Sequence, residues 1–245
     1  MRILVIGESC KDIYQYGDCV RLCPEAPVPV FRSGNLKTEN PGMAKNVWRN
    51  IKSLVDFDVD IETNKNWLSI TKTRCVDNRT NYIIVRIDEG DDGYSRCDVK
   101  SIEYHKYDVI VISDYNKGFL TESDIEYVSN QHSTTFLDTK KILGEWCKKI
   151  KFIKINEFEY ERTKHKLTPE LIEKMIITLG PNGARHKGIG FPVPKVEIKD
   201  TSGAGDTFVA ALASSYATTK DIFKAIEFAN ENATKVVQRK GVSTI

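Results

Sequence analysis

Short, wholly apolar runs separated by helical patterns constrain this chain more than any other feature. Arg2–Ile6 reads RILVI and stops at Gly7, and Val109–Ser113 reads VIVIS. Phe136-Leu137, Phe152–Ile155 and Ile176-Ile177-Thr178 repeat the theme. Strands apolar on both faces are buried on both faces, which requires a parallel sheet covered by helices on each side. The segments between supply those helices. Val47, Trp48, Ile51, Leu54 and Val55 are helically spaced across Met43–Val55. Thr121 with Asp124 has the capping-box pattern and predicts a helix to about Asn130. Thr168-Pro169-Glu170 reads as N-cap, N1 proline and acidic first turn. Gly203–Ala217 is small and apolar and predicts a buried helix. Asp221–Asn230 and Ala233–Arg239 predict two more helices, with Gly241 as the C′ stop. The expected fold class is therefore α/β, with a mainly parallel sheet flanked by helices.

Two segments break the alternation. Residues 14–35 carry Pro24, Pro27 and Pro29, which restrict them to edge strands and loops. Residues 70–90 hold two β-type runs around Asp77-Asn78-Arg79, with Ile83, Val85 and Ile87 alternating against Tyr82, Ile84 and Arg86. Together they predict a small separate sheet, a lid over one edge of the larger one. No linker, repeat or low-complexity tract divides the 245 residues, so the reading is a single domain, 1–245, with a lid.

The apolar fraction of 40% and charged fraction of 29% suit a globular chain. Basic and acidic residues nearly cancel, 36 against 34, so no nucleic-acid or membrane partner is expected. MRILVIGES is too short for a signal peptide, and the sequence has no apolar run of membrane-spanning length. A cytoplasmic location is the corresponding expectation. The six cysteines lack zinc spacing, and disulfides are not expected in a reducing compartment.

Asp200-Thr201-Ser202-Gly203-Ala204-Gly205-Asp206 carries the chemistry. A strand over Val196-Glu197-Ile198 is expected to run into this glycine turn and then into the buried helix. Amides at a helix N-terminus attract an anion, and glycines let a phosphate come close. A carboxylate beside an anion site is anomalous unless it works, for instance by accepting the proton of an attacking hydroxyl. An ordinary helix start with a dipole-favoured Asp206 is the plain alternative.

DTSGAGD resembles the signature DTxGAGD of the ribokinase-like sugar kinases. GESCKDIYQYGD, RLCPEAPVPV, NPGMAKNV, SDYNKG, FLDTK, NEFE, TLGPNG and GVSTI follow the same family in order. The nearest branch is the heptose 7-phosphate kinase domain of the bifunctional heptose kinase/adenylyltransferase. The resemblance runs from Arg2 to Ile245 and implies an ATP- and Mg²⁺-dependent carbohydrate kinase. It implies that Asp206 is the base and that Gly203, Ala204 and Gly205 form an anion hole for the transferred phosphoryl group. It implies that Asn156 and Glu159, from an NxxE motif, organise Mg²⁺ and phosphates, Glu159 acting on the metal indirectly through phosphate or water. Thr178, Gly180 and Gly183 match the TxGxxG turn beside the nucleotide, and Asn230 falls at the adenine pocket. Read without the family, Asn156 and Glu159 are a solvated helix start, the TxGxxG residues a hairpin turn, and Asn230 a helix C-terminal residue. On the sugar side Asp12, Gly42 and Asn46 match the residues that meet hydroxyls. Arg74, Arg86 and Lys117 are cations suited to a phosphate already on the substrate. A solvated strand face is the alternative for each cation, and an exposed helix residue for Asn46.

The chain departs from the pattern in four places. Met43 replaces the second of two glycines, and Glu8 stands where the branch has Asp. Asp56–Ile70 is short for the strand, helix and strand that usually fit there, and the stretch between Glu159 and Ile176 is shortened. The adenylyltransferase half is not expected in these 245 residues. The sequence therefore points to phosphorylation of a sugar or sugar phosphate, with heptose 7-phosphate and its anomeric hydroxyl as the best guess. A catalytically weak sugar- or nucleotide-binding protein and a nucleoside kinase of the same fold are the alternatives. The apolar lid residues Val28, Val30, Ile83 and Val85 predict a homodimer through the lid.

Overall fold

The computed structural model describes residues 1–239 and 245. A large sheet has the strand order β12-β11-β10-β9-β8-β7-β1-β4. Its parallel part comprises β1 (Arg2–Gly7), β4 (Asp58–Glu62), β7 (Val109–Asp114), β8 (Thr135–Thr139), β9 (Phe152–Asn156) and β10 (Met175–Thr178). The hairpin β11 (Ala184–His186) and β12 (Ile189–Phe191) continues it antiparallel. The inner parallel strands are largely apolar on both faces because helices cover both, whereas the edge strand β4 is half polar. Ile3 and Val5 of β1 face α1 (Ala44–Leu54), α5 (Ala204–Thr219) and α6 (Ile222–Val236). Leu4 and Ile6 face the other layer, with α2 (Glu122–Gln131), α3 (Glu157–Thr163) and α4 (Pro169–Lys174).

The second sheet is the lid, in the order β3-β2-β5-β6. It is built from β2 (Ser9–Leu22), β3 (Pro29–Met43), β5 (Thr71–Asp77) and β6 (Ile83–Glu89). Its first two strands extend beyond the expected 14–35, running back to Ser9 and on to Met43, so that β3 leads straight into α1. Pro24 and Pro27 lie in the loop between these two strands, and Pro29 opens the edge strand β3.

Local signals hold where a cap or period sets them. Thr121 and Asp124 form the capping box of α2, and Thr168 caps α4 with Pro169 in its first turn. Three expectations need correction. Val196-Glu197-Ile198 is irregular rather than a strand, since Pro192 and Pro194 deny the preceding chain its ladder donors. The two helices expected after Asp221 are one continuous helix, α6. Asp56–Ile70, although short, still supplies a strand: β4 closes the edge of the large sheet, and Trp48 Nε1 donates to the Val59 carbonyl (2.9 Å). The Gly241 stop lies outside the described residues.

The helix α5 is the element on which the site hangs. Ala210, Ala211, Ala213 and Ala217 let its middle, Asp206–Ser214, sit buried between α1 and α6 and against the sheet. Tyr216 of this helix packs on Phe136 of β8 and Phe152 of β9, with ring centroids 5.5 and 5.1 Å away. Phe136→Ala should therefore cost about 3–5 kcal/mol, read as a lowered midpoint in chemical denaturation.

Candidate functional site

The parallel strands end at a cavity of about 690 Å³. Asp138, Asn156 and Thr178, from the ends of β8, β9 and β10, line one side, and Gly203, Ala204, Gly205 and Asp206 line another. Crevices at the carboxyl ends of such sheets are where ligands of α/β folds bind. Gly203 is the N-cap of α5 in the left-handed region (φ 79°), a conformation that suits glycine. The first-turn amides of α5 have no carbonyl a turn earlier to bond, so they suit an anion. The Ala204 amide, however, turns back to the Thr201 carbonyl (3.2 Å). Thr178, Gly180, Gly183, Asn156 and Asn230 all line the same cavity. Thr178 and Gly183 also belong to the β10–β11 hairpin, so the two readings of that turn coincide. Asn230 is mid-helix in α6, not at a helix end, and its Nδ2 donates to the Phe191 carbonyl (2.8 Å).

Asp206 is 6% exposed. Asn46 Nδ2 donates to its Oδ2 (2.9 Å) and the Tyr115 hydroxyl donates to its Oδ1 (2.5 Å). Burial pushes its carboxyl up to about 6, against the two donors, which stabilise the charged form. A carboxylate so poised can accept a proton near neutral pH. Asn46 is buried and bonded to Asp206, which excludes the exposed-helix alternative.

Several wall residues carried no signal strong enough to single out in the sequence. Lys154 is buried and pairs with Asp138 (2.9 Å). A Cβ added at Gly205 would lie 3.0 Å from its Nζ, so this ammonium sits against the Gly203–Gly205 turn. Lys140 lines the cavity and pairs with Glu159, and Lys141 pairs with buried Asp114 (2.7 Å). FLDTK held Asp138 and Lys140 and SDYNKG held Asp114, but Lys141 and Lys154 lie outside both, and a lone lysine looks like any solvated lysine until the fold buries it.

Glu159 does not line this cavity. Its carboxylate accepts from the Asn156 amide (2.8 Å) in the capping box of α3 and holds Lys140, so it reaches the cavity through those two lining residues. It is buried, not solvated. Among the described residues no group of three or more His, Cys, Asp or Glu could hold a metal. The donor set of lysines and amides fits polyphosphate, and a divalent ion would arrive on phosphate oxygens and water.

The lid contributes a polar row. Asp12 pairs with Arg74 (2.5 Å), whose guanidinium lies over Tyr14. A Cβ at Gly42 would collide with the Asp12 carboxylate, so glycine there is a requirement of space. Arg86 stands directly across the ladder from Arg74 and is held by Asp88 (2.7 Å). Lys117 is not beside these arginines: it pairs with Asp91, which also holds buried Lys72, and its amide donates to Glu8 (2.8 Å). Met43 is left-handed (φ 60°) and buried among Cys10, Ile70, Tyr94 and Tyr115. Asp206 and Asn46 are thus joined, Asp12, Gly42 and Arg74 form a second group, and Glu159 and Lys117 lie behind other side chains.

The lid over a mainly parallel sheet is a ribokinase-type architecture. The chain is similar to the ribokinase of Thermotoga maritima (TM-score 0.75, 18% identity, 98% of this chain and 94% of that one). It is likewise similar to phosphofructokinase-2 of Escherichia coli (TM-score 0.72, 16% identity, 98% and 94%). Residues 105–245 match the model of the pfkB family carbohydrate kinases, and the chain belongs to that family. Among curated proteins it is 31% identical to the bifunctional protein HldE of Helicobacter pylori, over 98% of this chain and 63% of that protein. It is 26% identical to HldE of Psychromonas ingrahamii, over 100% of this chain and 62% of that protein. The chain thus spans less than two thirds of these relatives. No helix among the described residues is long and apolar enough to cross a membrane.

Gly42→Ala should push Asp12 off Arg74 and leave two buried charges poorly paired. A loss of about 1–3 kcal/mol is expected in thermal unfolding, where an unchanged midpoint would show that the pair absorbs the methyl group.

Proposed function

We propose that this chain, a single domain carrying a lid, transfers the γ-phosphoryl group of Mg·ATP to a hydroxyl of a sugar phosphate. The observation that carries the reading is Asp206: a buried carboxylate at the start of α5, beside Lys154 and the Gly203–Gly205 turn. Asp206 takes the proton as the acceptor O–H bond breaks, the acceptor oxygen bonds to phosphorus, and the bond to the diphosphate breaks. Lys154, Lys140 and the first-turn amides hold the phosphate charge at the cavity wall. Asn156, Thr178, Gly180, Gly183 and Asn230 border the nucleotide. Bound magnesium would neutralise phosphate charge, with Glu159 acting through Lys140. The Arabidopsis ribokinase structure, to which this chain is similar (TM-score 0.68, 17% identity), is complexed with ribose and ATP.

Asp12, Gly42 and Asn46 receive the sugar. Arg74 and Arg86, opposite each other in the ladder and held by Asp12 and Asp88, place two guanidinium groups close together, an arrangement that suits a phosphate on the acceptor. Heptose 7-phosphate, phosphorylated at the anomeric hydroxyl, fits this demand and the HldE likeness. Lys117, held by Asp91, plays a lesser part in this reading.

ADP release from Mg·ATP should be strong with one heptose phosphate among heptose, hexose and pentose sugars and their phosphates. Its rate should fall below pH about 6 as Asp206 protonates, and Asp206→Asn should lower it by about 10²–10⁴-fold. Arg86→Ala should raise KM for the phosphorylated acceptor only. Sugar binding without turnover would favour the binding-protein reading, for which buried Met43 is the motive.

The lid leaves Leu22, Tyr82, Ile83, Val85 and Ile87 exposed, and a second copy of this lid is the partner proposed to cover them. Light scattering at micromolar concentration should give a dimer mass, and a monomer would remove the idea.

A further inference from the structure

Tyr115 has no role in the reading so far, yet its hydroxyl is on the carboxylate that would take the proton. It sits in the turn after β7, between residues that are themselves held. Asp114 is locked by Lys141 and Thr139, and the Asn116 amide donates back to Asp114 (3.3 Å). The Tyr115 ring packs against the cluster of Cys10, Met43, Ile70 and Tyr94, and Lys140 lies 5.6 Å from its centroid. The hydroxyl therefore has little freedom to leave Asp206 Oδ1. Burial, with Asp206 itself, raises the phenol well above its ordinary range, so it remains a donor throughout the working pH range.

We propose that Tyr115 is a positioning residue whose hydroxyl, held on Oδ1, keeps Asp206 in its carboxylate form for the acceptor. This rests on Asp206 being the base. Asn46 occupies one lone pair of Oδ2 and Tyr115 one lone pair of Oδ1, which leaves a second lone pair on each oxygen to accept from the acceptor hydroxyl. Burial and the nearby Asp138 of β8 disfavour the charge, and Lys154 of β9 favours it. Asp12 and Cys10 of β2 and Lys140 beyond β8 also face the centre. Without its Oδ1 donor the carboxyl titrates higher, and the ionised fraction at neutral pH falls. Tyr115 also links the base to lid residues Cys10 and Met43, so the lid's position reaches Asp206 through one ring.

The test is Tyr115→Phe, which keeps the ring in its cluster. The Asp206 carboxyl is titrated by ¹³C NMR in wild type, in Tyr115→Phe and, to assign the signal, in Asp206→Asn. The pH profile of ADP release is measured alongside. The expected result is an Asp206 midpoint raised by about one unit, an acid limb of kcat/KM shifted equally, and a melting temperature at neutral pH lowered by only about 2–5 °C. The midpoint is read without substrate, so it judges Tyr115 even if no sugar is turned over and the kinase reading fails. An unmoved midpoint in a folded variant overturns the proposal. So does a lower KM with an unmoved limb, which would mark Tyr115 as a contact that the acceptor displaces. Activity lost equally at all pH would also overturn it, since positioning through ionisation predicts recovery at high pH.

Discussion

The burial of one helix start governs the chemistry here. Because α5 is built largely of alanine and other small residues, most of it can sit inside, and Asp206 of its first turn is carried in with it. Asp206 is thereby desolvated at the place where helix amides favour negative charge. The two effects oppose each other: burial raises the carboxyl, while Asn46, Tyr115 and Lys154 lower it, and the balance lies near neutrality. The same side chain at an exposed helix start would stay ionised in neutral solution, but as a weaker base.

A buried charge is tolerated only with a partner, and the surroundings follow that rule closely. Lys154 has Asp138, Lys141 has Asp114, Lys140 has Glu159, Arg74 has Asp12, and Lys72 shares Asp91 with Lys117. Of these cations Lys140 and Lys154 line the cavity, as does Asp138, whereas Glu159 does not: it fixes a capping box and a lysine. Arg74 and Arg86 face each other across one ladder, each held by its own carboxylate, Asp12 and Asp88.

The legible parts of the sequence were those whose signal is local. Wholly apolar runs gave the parallel strands, cap residues gave the starts of α2 and α4, and the DTSGAGD turn gave Asp206 its place. The lid was legible as proline-marked and alternating strands, though not its reach to Ser9 and Met43, because pairing over fourteen residues leaves no local mark. The strand β4 was missed because DVDIE, with three acids, reads as surface; as an edge strand it is protected by those same charges. Asn156 and Glu159 were legible as a motif, but spacing alone could not tell a phosphate contact from a capping box. Lys154 and Tyr115 act through neighbours distant in sequence, Asp138 and Asp206, which only the folded chain supplies.

Met43 draws these strands together. Its backbone lies at φ 60° and ψ −134°, outside the regions that side chains prefer, at a strain of roughly 1–3 kcal/mol. Full burial of a methionine is worth about 1.5–3 kcal/mol, so the cluster of Cys10, Ile70, Tyr94 and Tyr115 offsets what the backbone loses. A glycine would relieve the strain and leave the cluster hollow beside the ring that holds Asp206. Met43 ends the lid strand β3 and immediately precedes α1, whose Asn46 touches the other oxygen of the same carboxylate. Both donors to Asp206 are therefore anchored through a single junction between lid and core. A side chain at that junction, in place of glycine, trades backbone ease for a tighter hold on the base.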